Sequence, residues 1–204
     1  MGSRRAEGAR HRGRLVPADL MSLEQYARER SEFRARVFEH KRARTVAVGP
    51  NTTWCFEDRL TVQYQVQEML RTERIFEAQG IKDELDAYNP LIPDGTNLKA
   101  TLLIEFTDPD ERAAALIRLK GIERRCYLLI GDGAVRAIAD EDLERENDTK
   151  TSAVHFLRFE LDRAARALLT AGAPLKAGID LPEYTHSVEL GAATRATLAA
   201  DLAP

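Results

Sequence analysis

From residue 22 to residue 44 the chain contains neither glycine nor proline. A stretch of that length without a helix breaker, opened by the S-x-x-Q capping box of Ser22 and Gln25, predicts one long helix. Such a helix obliges the rest of the chain to cover its apolar stripe. At about 100° per residue, Leu23, Tyr26, Ala27, Phe33, Val37 and Phe38 fall within that stripe, and Arg30, Arg34 and Lys41 project into the middle of it. A guanidinium on a core-facing stripe reaches to the edge, pairs with an acid, or faces an anion.

The following residues predict a hairpin, strands 45–48 and 53–56, turning at Gly49, Pro50 and Asn51. Asp58 is a good cap for a second helix running to Ala78, with Gly80 as its stop. Val62, Val66, Met69, Leu70 and Phe76 form the main apolar stripe of that helix, with Glu73 at its centre. An opposite set, Leu60, Tyr64 and Ile75, is interleaved with Gln63, Gln67, Arg71 and Arg74. A short helix at 81–88 leads into the loop 89–95, where Pro90 and Pro93 fix φ and Asp94-Gly95 closes a turn.

Strand patterns dominate the remainder. They predict strands at 98–106, 126–130, 134–138, 153–161 and 186–190, with helices at 109–119, 162–170 and 192–202. Gly131-Asp132-Gly133 marks a hairpin, residues 140–148 read as a solvated acidic helix and turn, and the Gly/Pro stretch after 170 reads as irregular. No βαβ alternation recurs. The fold class is therefore α+β, a mostly antiparallel sheet with the long N-terminal helices packed against it.

With 204 residues, 44% of them hydrophobic, the chain is long enough for one domain, placed at 15–204. Residues 1–14 stand apart: Arg4, Arg5, Arg10, Arg12 and Arg14 lie among Gly, Ala and Ser. They are expected to form a disordered basic arm, or to precede a true start near Leu15 or Met21. A net charge of -3 implies no global pull toward nucleic acid or an anionic membrane, and no apolar run approaches the roughly 18 residues of a spanning helix. No secretory signal is visible, so the expected compartment is the cytoplasm. Cys55 and Cys126 are far apart and belong to no C-x-x-C pair, which removes thiol redox motifs and thiolate metal sites.

Three constellations carry the candidate chemistry. Arg30 and Arg34 on the first helix face Glu73 on the second if the intervening hairpin lets the helices pack together. That arrangement is a structural ion pair, or a grip on a carboxylate or phosphate with Glu73 orienting one arginine. Tyr64, Glu68 and Arg71 lie on neighbouring faces of the second helix, where Glu68 and Arg71 can pair locally and the polar face suits a partner. His155 shares its strand face with Leu157, Phe159 and Leu161, a setting for a hydrogen-bonded core histidine or a catalytic or ligating one. His186 with Asp180 or Glu183 would complete a metal site beside it, although no H-x-H or H-E-x-x-H spacing is present. No cofactor motif is present: there is no G-x-G-x-x-G, P-loop or G-x-S-x-G.

Four blocks, DLMSLEQYA at 19–27, EDRLTVQYQVQEMLR at 57–71, ELDAYNPLIPDG at 84–95 and KTSAVHFLRFE at 150–160, resemble the bacterial domain of unknown function family 3501. The resemblance runs from about Leu15 to Leu202. It implies an uncharacterised protein whose gene lies beside those of rubrerythrin-like proteins and iron–sulphur oxidoreductases, and hence a redox setting. The chain lacks the Cys clusters and paired Glu-x-x-His helices that would hold the iron, so the expected role is an accessory or binding protein using its two-helix and hairpin face. The competing expectation is a small metal-dependent or acid–base enzyme centred on His155 and the Arg/Glu pairs. Self-association as a homo-oligomer is compatible with either.

Overall fold

The computed structural model describes residues 13–139 and 149–202. The basic arm up to Arg12 and the acidic segment 140–148 lie outside the described residues. The described residues fall into two compact units, 13–42 with 57–94, and 43–56 with 95–139 and 149–202.

The first unit is helical. Helix α1 spans Leu23–Arg42; the Ser22 hydroxyl accepts the Gln25 N–H at 3.2 Å, but the Gln25 side chain donates to Glu29, so only the serine half of the expected capping box forms. Its buried stripe is narrower than the periodicity suggests: Tyr26, Phe33 and Val37 are buried, whereas Ala27 and Phe38 are exposed. Helix α2 spans Arg59–Thr72, capped by Asp58, whose carboxylate accepts the Thr61 N–H. It buries Val62, Val66 and Leu70, and it ends well before Ala78.

The early stop has a backbone cause. Arg74 takes a left-handed φ of 54°, and the Ile75 N–H bonds the Leu70 carbonyl while Ile75 packs into the Leu70 cluster. This is a Schellman ending with arginine in the position usually held by glycine. Phe76 is therefore 73% exposed instead of extending the apolar stripe. Helix α3 spans Ala78–Tyr88 and includes Gly80. Gly80 is not a stop: a Cβ there would lie 2.7 Å from the Ile75 side chain, so the residue is small to admit the helix ending.

Two buried amides staple the N-terminal segment to these helices. Asn89 accepts the Leu15 N–H at 2.6 Å and donates to its carbonyl at 3.0 Å; Gln67 accepts the Met21 N–H at 2.6 Å. The polar face of α2 is thus partly consumed by the chain itself, since Gln63 also donates to the Asp19 carbonyl.

The second unit holds two antiparallel sheets. One has the order β1-β2-β3-β7-β6, with β1 Thr45–Ala47, β2 Thr52–Phe56, β3 Asn97–Ile104, β7 Val154–Glu160 and β6 Ile138–Ala139. The other has the order β5-β4-β8-β9, with β4 Cys126–Ile130, β5 Gly133–Arg136, β8 Leu175–Leu181 and β9 Tyr184–Glu189. Helices α4 Pro109–Arg118, α5 Arg163–Thr170 and α6 Ala192–Asp201 accompany them. The fold is α+β, as expected, with two sheets where one was anticipated. Their inward residues share a core that includes Trp54, Leu102, Phe159, Leu128 and Ile179.

Strand β8 replaces the irregular stretch expected after residue 170. Its Gly178 lies opposite Tyr127 on β4, and a Cβ at that position would sit 2.3 Å from the phenol ring. The glycine that argues against a strand in the sequence admits the aromatic side chain of the neighbouring one. No helix among the described residues is long and apolar enough to cross a membrane.

Candidate functional site

In the helical unit, α1 and α2 bring three polar side chains to one point. Arg30 holds Glu68 with both arms of its guanidinium, Nε to Oε1 at 2.7 Å and Nη2 to Oε2 at 2.8 Å. The Tyr26 hydroxyl donates to the same Oε1 at 2.6 Å. Tyr26 and Arg30 stand one helical turn apart on α1, so both reach the acid from one face. The Arg30 hydrogen bonds are the main cause that holds the Glu68 carboxyl down to about 2, with Tyr26 assisting against the opposing effect of burial. Burial first, then the adjacent carboxylate, pushes the Tyr26 phenol well above its ordinary value. Glu68 is thus ionised at any physiological pH, and the three groups are spent on one another. The cluster is built to fix α1 against α2 and has no proton to trade near neutrality.

The expected Arg30, Arg34 and Glu73 grouping is not formed. Glu73 is the exposed C-cap of α2, beyond the last helical turn, and the acid that meets Arg30 is Glu68. Glu68 consequently pairs across helices and not with Arg71, whose charge only adds to the lowering of the Glu68 carboxyl. Arg34 is exposed, with its guanidinium carbon 4.2 Å from the centre of the Phe38 ring. Tyr64 is half-buried, 6.2 Å from both the Phe33 and Phe38 ring centres, and the Lys41 ammonium lies 5.9 Å from its own ring. Phe38 is 44% exposed, so Arg34, Phe38, Lys41 and Tyr64 form a cationic and aromatic strip along the outer flank of the two helices.

In the sheet-bearing unit His155 is fully buried, on the core face that also carries Leu157 and Phe159. Its Nε2 lies 2.8 Å from the Thr151 hydroxyl and 3.1 Å from the Ser152 carbonyl. Glu123, missed in the sequence because it sits in a short turn between α4 and β4, is buried nearby, its Oε2 4.0 Å from that nitrogen. This separation is too long for a hydrogen bond, and Glu123 Oε2 has no donor among the described residues. The indole N–H of Trp54, two strands away in the same row through Leu102, also has no acceptor among the described residues.

His186 does not join His155. It lies on β9 of the other sheet, opposite Ile179, with its ring edge on Tyr184, while Asp180 pairs with Arg136 at 2.5 Å and Glu183 is exposed. Among the described residues no group of three or more His, Cys, Asp or Glu is placed to hold a metal ion.

The fold and these sites define an α+β protein with a self-contained Arg–Glu–Tyr lock between two helices and a buried, hydrogen-bonded histidine. Residues 14–202 match the family model of the protein of unknown function DUF3501, and the chain belongs to that family. It is similar to a protein of unknown function from Burkholderia pseudomallei K96243 known from its crystal structure. The two share 51% identity over 93% of this chain and 99% of that one, with a TM-score of 0.89. No match is found among curated proteins.

Proposed function

We propose that this chain is a cytoplasmic accessory protein that docks another protein through the outer flank of α1 and α2. The observation that carries the reading is the cationic and aromatic strip there: Arg34 stacked on the exposed Phe38, with Tyr64 and Lys41 beside it. Arginine and aromatic side chains are the groups that dominate binding energy at protein interfaces. Stacking Arg34 on Phe38 before any partner arrives lowers the ordering cost of docking. The Arg30–Glu68–Tyr26 cluster behind the strip supports it by holding the two helices in register.

As the partner class we take the one that the resemblance implies, a rubrerythrin-like protein or an iron–sulphur oxidoreductase encoded by the same genome. The test is a calorimetric titration of the purified full chain against each of these purified proteins. Binding that falls about ten-fold or more in an Arg34→Ala/Phe38→Ala variant supports the reading. Absence of binding to both proteins at concentrations near 100 μM, or binding that the double variant leaves unchanged, overturns it.

A further inference from the structure

The two sheets part company along one seam. Strand β6 pairs with β7, Ile138 opposite Arg158 and Ala139 opposite Leu157. Continued backward, the same register would set Arg136 opposite Glu160 and Ala134 opposite Asp162. The chain does not continue it: at Ala137 the N–H bonds the Cys126 carbonyl, and β5 pairs with β4 in the other sheet. A wedge therefore opens between β5 and the end of β7. It forms a cleft of about 480 Å³ whose walls include Ala134, Val135, Arg136, Glu160, Asp162 and Leu168.

The backbone lining this wedge lies outside the ladders of both sheets. Since Ala137 bonds toward β4, the alternation of an antiparallel ladder turns Val135 the same way and leaves the N–H and C=O of Ala134 and Arg136 pointing outward. On β7 the Leu161 N–H bonds the Thr96 carbonyl on the β3 side, which leaves the backbone of Glu160 facing the wedge. These groups meet no partner among the described residues. The side chains add a charge preference. Glu160 spends Oε1 on Asn97 and Arg158, and Asp162 spends Oδ1 on the Ala165 N–H, so each keeps a second carboxylate oxygen for a ligand. Arg136 lines the cleft but turns its guanidinium to Asp180 and Tyr127, and Arg158 is held on Glu160 Oε1, so the second carboxylate oxygens of Glu160 and Asp162 are the polar groups left to select a ligand. Leu168, 47% exposed, supplies an apolar wall.

We infer that the seam binds an extended peptide segment of a partner protein as an added strand on β5. The segment presents a basic side chain to Glu160 and Asp162, with small or β-branched residues against Val135 and Leu168. Main-chain pairing supplies affinity and the carboxylates supply selection, which is the usual division in strand addition. The inference concerns the sheet-bearing unit and stands independently of the α1–α2 docking surface.

The test is an NMR titration of the isotope-labelled full chain with the blocked hexapeptide SVRTVS and its charge-reversed counterpart SVETVS. The expected result is a shift of the Ala134, Arg136 and Glu160 amides with SVRTVS, and affinity about ten-fold lower for SVETVS. Glu160→Lys should reverse that preference. Ala134→Pro, which removes an outward N–H from an edge strand where proline is tolerated, should abolish binding. If Ala134→Pro fails to fold, SVRTVS N-methylated at alternate residues applies the same test from the peptide side. Shifts confined to other amides, indifference to the arginine, or undiminished affinity after proline substitution or N-methylation would overturn the inference.

Discussion

Arg30 on α1 and Glu68 on α2 meet as a bidentate pair, and Tyr26 places a third hydrogen bond on the same carboxylate. The unfolded chain takes up a proton at Glu68 near its ordinary value of 4.5, whereas the folded chain resists it until about pH 2. Stability from this group is complete above pH 4.5 and is lost as the pH falls toward 2. Glu68→Gln should flatten the acid limb of stability between those values, measured by urea unfolding at stepped pH. Tyr26→Phe should cost about 1 kcal/mol while the Glu68 carboxyl stays low, because Arg30 is the chief cause of its shift. An acid limb as steep in Glu68→Gln as in the parent would remove the cluster from the account of stability.

Arg74 stores strain at the end of α2. A non-glycine residue at φ 54° pays a steric cost that glycine does not. Arg74→Gly should therefore raise stability by about 1 kcal/mol, read as a higher urea midpoint at unchanged slope. A lower midpoint would mean that the Arg74 side chain contributes more than its backbone costs.

The elements legible in the sequence were those with their own punctuation. Helix α1 announces itself through Ser22 and Gln25, the β4–β5 hairpin through Gly131, and α5 through Asp162, and each forms close to where those residues place it. Legibility failed where a residue serves a distant neighbour. Gly178 reads as a breaker until Tyr127 is laid across it, Gly80 reads as a stop until Ile75 is beside it, and Arg74 carries no local sign of a left-handed turn. The candidate site failed in the same way. Glu68 has an obvious local partner in Arg71, and no local pattern states that the register of α1 on α2 brings Arg30 and Tyr26 to it first. Glu73 is central only on a helix that runs past it, and α2 ends at Thr72.

Gly178→Ala tests the close approach in β8 directly. Its Cβ would fall 2.3 Å from Tyr127 Cζ and 2.4 Å from the hydroxyl, within the volume of a ring held by the facing strand. Overpacking of this kind costs about 1–3 kcal/mol. Tyr127→Leu removes the obstructing ring, so the double variant should recover most of the loss, a coupling that denaturant unfolding of the four proteins in the cycle measures. Additive losses would show that Gly178 is required for a reason other than the tyrosine.

The buried pair of His155 and Glu123 separates two kinds of polar burial within one core. His155 is satisfied by Thr151 and Ser152, whereas Glu123 Oε2 faces it across 4.0 Å with no donor among the described residues. Removing a made hydrogen bond and removing an unmade one should therefore have opposite signs. Thr151→Val should destabilise by about 1–3 kcal/mol, because it leaves a buried imidazole with a lost partner. Glu123→Met should gain about 1 kcal/mol, because it takes an orphaned carboxylate oxygen out of a buried site at little change in volume, and the Arg124 guanidinium 3.3 Å from the other oxygen is largely exposed and stays solvated without it. Paired unfolding curves for the two variants decide the matter. A large loss in Glu123→Met would place a donor on Oε2 in solution, and with it a role for the Glu123–His155 pair beyond packing.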